Sequence, residues 1–223
     1  MVEKNPKLKG FRLVCCLVVL LPVMLSPAAG AGSDLKVLIL GDSLSAAFNM
    51  PLEQGWVNLL QQRLAKSYPD CNVLNASISG ETAANAVNRL PQLITQYRPD
   101  VVVIELGGND GLRGFKLSQI ETNLQRLIDI AKQAGAEVVL TGIQLNPNYG
   151  PQYNAGFREL FVKLAKKNAT GLVPFILAGI GDDPGKMQAD GIHPTAAAQP
   201  QVLDNMWPYI EAAIKARRAA EST

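Results

Sequence analysis

Four short stretches hold side chains capable of chemistry: Gly41-Asp42-Ser43-Leu44-Ser45, the run SISGET from Ser77 to Thr82, Gly107-Gly108-Asn109-Asp110, and Asp190-Gly191-Ile192-His193-Pro194. A serine hydroxyl is a poor nucleophile at neutral pH and needs a base within hydrogen-bond reach, which in turn needs an orienting acid. The chain contains one histidine. If Ser43 is activated by an imidazole, His193 must supply it, and Asp190, three residues ahead, is near enough to hold one ring nitrogen while the other faces the serine. Attack on a carbonyl creates an oxyanion that needs fixed donors. The Ser43 amide, the Gly80 amide and the Asn109 side-chain NH2 are candidates, each worth on the order of 10²-fold in rate. Activity of this kind is lost in acid, where the imidazole is protonated.

Each stretch alone also has an ordinary reading. Ser43 after Gly41-Asp42 suits a helix cap, Gly80 a turn of positive φ, Gly107 to Asp110 a tight turn, and His193 beside a proline a surface loop. It is the combination that favours chemistry.

The elements that must position these residues are legible in the hydrophobic pattern. Leu35 to Leu40 is a near-continuous apolar run, as expected of a strand buried on both faces of a parallel sheet. Trp56, Leu59, Leu60 and Leu64 recur at helical spacing up to Pro69. A short strand at Asn72 to Asn75 leads into a helix over Thr82 to Tyr97, and Val101 to Leu106 is the most strand-like run of all. Leu117 to Gln133 predicts a helix ended by Gly135, Glu137 to Thr141 a fourth strand, Gln152 to Lys167 a helix, Leu172 to Pro174 a fifth strand, and Gln199 to Arg218 a closing helix. Strands alternating with helices imply a parallel sheet covered on both faces. The first three chemical stretches follow strands one to three, at the carboxyl ends where ligands bind in open α/β sheets.

Residues 1–31 read differently. Lys4, Lys7, Lys9 and Arg12 make a basic start, Leu13 to Leu25 is an apolar run of thirteen residues, and Ala28-Ala29-Gly30-Ala31-Gly32 follows. That order is expected of a cleaved secretory leader. The run is shorter than the roughly 20 residues of a spanning helix, so a retained membrane anchor is not expected, and the protein would be periplasmic or secreted. Removing residues 1–31 turns 21 basic against 19 acidic residues into 17 against 18. With no basic surplus, nucleic acid is not an expected partner. Residues 32–223 suit a single domain; a monomer is expected. Cys71 is the sole cysteine beyond the leader, which excludes an internal disulfide. A zinc site would have to rest mainly on carboxylates, so no metal and no cofactor is expected.

In their order and separations, LGDSLSA, NASISGET, ELGGNDGLRG and QADGIHP resemble the four blocks of the SGNH, or GDSL, hydrolase superfamily, over about Val37 to Ile210. The longer strings are most similar to its branch of multifunctional acyl-CoA thioesterases, lysophospholipases and arylesterases from Gram-negative bacteria. The resemblance implies a flavodoxin-like, three-layer α/β/α fold with five parallel strands. It implies Ser43 as nucleophile, Asp190 and His193 as the rest of a triad, and Ser43, Gly80 and Asn109 as the oxyanion hole. Two positions depart from related patterns. Ser45 stands where the α/β-hydrolase elbow G-x-S-x-G has glycine, and Ala189, outside the triad, stands where close relatives often carry an acid.

The reaction expected is two-step acyl transfer from an ester or thioester. Leu112, Phe115, Leu145, Pro147 and Tyr149, in the loops after strands three and four, either line an acyl groove or merely cover the sheet edge. Gly111, Gly114 and Gly150 would make those loops pliant. The competing readings are a carbohydrate O-acetylesterase using the same residues and a non-catalytic flavodoxin-like binding protein.

Overall fold

The computed structural model describes residues 1–2 and 34–221; the expected leader lies outside them, apart from its first two residues. The five apolar runs form strands β1 Leu35–Gly41, β2 Cys71–Asn75, β3 Val101–Glu105, β4 Glu137–Thr141 and β5 Gly171–Val173. All pair in parallel, in the order β2-β1-β3-β4-β5. Val37 lies beside Val73 on one side and Val101 on the other. After β1 the chain goes to one side of the sheet, and after β2 it returns to the other. The diverging connections open a crevice at the carboxyl ends of β1 and β3, a topological switch point.

Six α-helices cover the sheet among the described residues: α1 Trp56–Ser67, α2 Ala83–Tyr97, α3 Gly108–Leu112, α4 Leu117–Gln133, α5 Pro151–Asn168 and α6 Gln199–Glu221. Successive strand residues point to opposite faces, which divides the core in two. Leu38, Leu40, Val102, Ile104, Val138 and Leu140 pack with α2, α4 and α5. Val37, Ile39, Val101, Val103 and Val139 pack with α1 and α6. Both faces are dry, and for this reason the strands read as unbroken apolar runs. Each such side chain contributes roughly 1.5–3 kcal/mol by leaving water. Helix α1 has only Gly55 at its N-cap. The Gln199 side chain at the start of α6 takes the cap's place, accepting from the Trp56 amide at 2.9 Å.

Two expectations are corrected by local geometry. Ser43 does not start a helix: residues 43–49 form consecutive turns, with the Ala46 amide donating to the Asp42 carbonyl at 3.0 Å, and α1 begins only at Trp56. Gly107-Gly108-Asn109-Asp110 is not a plain turn. Gly107, with φ of 109°, ends the chain's extended path and caps the short helix α3. Gly111 inside α3 serves packing rather than pliancy, since a Cβ there would stand 2.8 Å from Leu145 Cδ1 and 2.9 Å from the Phe157 ring. No helix among the described residues is long and apolar enough to cross a membrane.

Candidate active site

The Ser43 hydroxyl donates to His193 Nε2 at 2.8 Å, and His193 Nδ1–H donates to Asp190 Oδ2 at 2.7 Å. The loop carrying His193 and Asp190 lies 150 residues from Ser43 in sequence, and it reaches the mouth of the crevice through an isolated bridge between Met187 and Pro194. Asp190 is fixed by its own loop, because its Oδ1 accepts from the Ile192 amide at 2.9 Å and the His193 amide at 3.0 Å. Burial alone would raise its pKa. The Ile192 amide and the side chain and amide of His193 outweigh that effect and hold the carboxyl down at about 2, so it is ionised at neutral pH.

The donors form a second group. Among the described residues, the amides of Ser43 and Gly80 donate to no protein acceptor. Gly80 has φ of 79°, a conformation that favours glycine. Its turn is braced from both sides: Arg113 Nη2 donates to the Gly80 carbonyl at 3.1 Å, and Arg89 pairs with Glu81 and donates to the Ala76 carbonyl at 2.7 Å. Asn109 Nδ2 donates one hydrogen to Asp42 Oδ2 at 2.9 Å, and a carboxamide nitrogen carries two. Planarity then fixes the direction of the second. Asp110 ties the second and third motif blocks together, its buried Oδ2 accepting from the Ala83 amide at the start of α2 at 2.9 Å.

Beneath the nucleophile lie two acids whose contact the sequence did not reveal. Asp42 is buried, and its Oδ1 accepts from the Leu44 amide at 3.1 Å. Burial raises its pKa to about 6 against the opposing pull of the Leu44 amide, the His193 charge and Asn109. Glu105, at the end of β3, is fully buried; its Oε2 accepts from Ser45 Oγ at 2.7 Å and from the Asp42 amide at 3.3 Å, while Oε1 has no partner. Gly41 makes room for it, since a Cβ there would stand 2.8 Å from Glu105 Oε2. Burial first, then the charge of Asp42, push Glu105 well above the usual carboxylate range. With no cation beside it among the described residues, burial favours its neutral form, in which it bridges β3 to the nucleophile turn.

The sign of the resulting pH effect follows by linkage. Above the ordinary carboxylate range the unfolded chain releases the Glu105 proton more readily than the folded chain does, so stability falls as pH rises. Glu105→Gln removes that dependence and keeps the shape. In urea titrations at pH 5 and pH 7, the variant should lose less unfolding free energy between the two than the parent does. Parallel losses would show that Glu105 is ionised in the fold.

A cleft of about 730 Å3 runs from this site. Ser43, Asn109 and His193 stand at its wall together with Leu112, Leu145 and Pro147, and Ile143, Phe175, Ile176 and Leu177 extend its apolar lining. Phe115 and Tyr149 do not line it. Phe115 is exposed, and Tyr149 donates through its hydroxyl to the Leu112 carbonyl at 2.8 Å, bracing the wall from behind. Asp42, Glu105 and Phe48, whose ring lies on His193, are the site residues that motif reading missed. No group of three or more His, Cys, Asp or Glu side chains among the described residues is arranged to hold a metal.

A serine, an imidazole and a carboxylate joined at the switch point of a parallel three-layer α/β/α sheet define a hydrolase architecture. The GDSL-like Lipase/Acylhydrolase family model matches residues 39–199, and the chain belongs to that family. Esterase TesA of Pseudomonas aeruginosa is 50% identical over 189 residues, covering 85% of this chain and 92% of that esterase. The thioesterase 1/protease 1/lysophospholipase L1 of Escherichia coli is 44% identical over 184 residues, 82% of this chain and 86% of its own. The crystal structure of the psychrotrophic esterase EstA from Pseudoalteromonas sp., inhibited by monoethylphosphonate, superposes with a TM-score of 0.78 at 41% identity, covering 82% of this chain and all of that one. The chain is thus an ester hydrolase by family.

Proposed function

We propose that the protein is a serine esterase that hydrolyses aryl esters, acyl-CoA thioesters and lysophospholipids through an acyl-enzyme. Ser43 attacks the carbonyl carbon as His193 Nε2 takes the hydroxyl proton; the resulting oxyanion is held by the Ser43 and Gly80 amides and the free hydrogen of Asn109 Nδ2. The imidazolium, stabilised by ionised Asp190, gives its proton to the leaving alcohol or thiol. Water then enters, loses a proton to His193 and releases the acid, restoring Ser43. The observation that carries this reading is the unbroken chain from Asp190 through His193 to Ser43, with links of 2.7 and 2.8 Å, at the wall of a cleft lined by Leu112, Ile143 and Leu145. Inhibition of the Pseudoalteromonas esterase by a phosphonate also supports it, because such reagents trap activated serines. The basic, apolar and small-residue order of residues 1–31 supports action outside the cytoplasm after cleavage of the leader.

The apolar lining favours fatty acyl esters over acetylated sugars. Rates on p-nitrophenyl acetate, butyrate, octanoate and longer esters should therefore rise beyond acetate before they fall. A steady decline from acetate onward would sink the acyl-chain reading in favour of an O-acetylesterase. A fluorophosphonate should label the parent protein and not Ser43→Ala; labelling of both, or of neither, would defeat the serine mechanism.

A further inference from the structure

Two hydrogen bonds hold the His193 ring, one at each nitrogen, to Asp190 and Ser43. They fix the ring along the line from Asp190 to Ser43 and leave it free to tilt about that line, which would swing the Nε2 lone pair off the serine proton. A further restraint comes from Phe48. Its ring stacks on the imidazole with centroids 4.2 Å apart and planes 27° from parallel.

The chain goes to unusual lengths to present that ring. Ala47 and Asn49, on either side of Phe48, both have φ of 55°, in the left-handed region, which costs an alanine roughly 1 kcal/mol or more, an asparagine less, and persists where surroundings over-determine it. Gly55 makes room, since a Cβ there would stand 2.8 Å from Ala47 Cβ. The Phe48 amide donates to the Ser43 carbonyl at 3.3 Å, so one residue touches the serine through its backbone and the histidine through its ring. Gln188 locks the arrangement from the histidine side. Its Nε2 donates to the carbonyls of Phe48 and Pro194, both at 3.1 Å, its Oε1 accepts from Asn49 Nδ2 at 3.3 Å, and its amide donates to the His193 carbonyl at 2.8 Å.

We propose that Phe48 is a positioning residue for His193, holding the imidazole against tilting about the line from Asp190 to Ser43, and that Gln188 clasps the nucleophile turn to the histidine loop for the same purpose. Phe48 does not line the cleft, so its effect falls on turnover rather than on acyl binding. The stacked ring also presents its negative face to the imidazolium formed during attack. This inference rests on the serine-esterase reading.

The test is steady-state hydrolysis of p-nitrophenyl butyrate with the full protein, alongside the rate of inactivation by a fluorophosphonate. Phe48→Leu keeps an apolar side chain without a stacking face. It should lower kcat about five- to tenfold, with KM within about twofold, and slow inactivation in the same ratio. Phe48→Tyr restores the face and should recover kcat to within about twofold of the parent. Unchanged kcat in Phe48→Leu, a loss carried by KM, or a tyrosine variant as slow as the leucine one would overturn the proposal. If Phe48→Leu fails to fold by circular dichroism, Gln188→Ala decides, since it leaves the ring and cuts the clasp. It should lower kcat and the inactivation rate together by about threefold, and equality with the parent would refute the proposal. A parent protein that reacts with no fluorophosphonate would sink the esterase reading and this inference with it, whereas a reactive parent with an equally reactive Phe48→Leu sinks the inference alone.

Discussion

Ser43→Ala and His193→Gln should each lower kcat on p-nitrophenyl butyrate by about a millionfold, and the double variant should be no slower than either. The reason is that the pair performs one event. With Ser43 Oγ 2.8 Å from His193 Nε2, proton removal and attack are parts of the same step; a serine without its base and a base without its serine are equally idle. No second imidazole exists in the chain to substitute. The residual rate, about 10³- to 10⁴-fold above the uncatalysed reaction, is what the oxyanion donors and substrate binding still supply. Asp190→Asn should cost less, about 10⁴-fold, because the ring nitrogens remain and only their orientation and the stabilisation of the imidazolium are lost. The measurement is single-turnover hydrolysis at high enzyme concentration, with trace parent protein excluded by fluorophosphonate titration. Losses that multiply in the double variant would mean that the two side chains act in separate steps.

The sheet was legible because its strands are buried on both faces. Val101 to Ile104 has no polar residue to confuse the period, and the helices on either side leave an apolar stripe against it. Element ends were read within one or two residues where a proline or glycine marks them, as at Gly135. The turn after β1 was harder. Ser43 looked like a helix start because Gly-Asp-Ser is ordinary cap chemistry, and nothing local announces that Ala47 and Asn49 will turn left-handed. Glu105 was invisible for another reason. A glutamate closing an apolar run reads as the wet end of a strand, and only the pairing of β3 with β1, which sets it beside Gly41, buries it under the nucleophile turn. The same holds for Asp42, whose bond from Asn109 and whose exposure to the His193 charge come from two distant segments. Motif spacing carried the identity of the candidate groups; what supports them is tertiary, and the sequence does not spell it.

Asn109→Ala should lower kcat by about 10²- to 10³-fold, corresponding to roughly 2.7–4 kcal/mol, with KM changed little. An oxyanion donor acts on charge that exists only in the transition state, so its removal leaves ground-state binding nearly intact. The geometry adds a second, smaller expectation. Asp42 Oδ2 holds one Asn109 hydrogen at 2.9 Å, and that contact is what aims the other. Asp42→Asn keeps an acceptor oxygen but no longer two, so either the Leu44 amide or Asn109 loses its partner. The loss in kcat should be about tenfold, the order expected for one charged hydrogen bond. The effects should not add, because with Asn109 gone there is nothing left for Asp42 to aim. In the Asn109→Ala background, Asp42→Asn should therefore change kcat by less than about twofold. A full tenfold loss in that background would mean that Asp42 acts on the nucleophile turn through Leu44, and that the donor is held by something else.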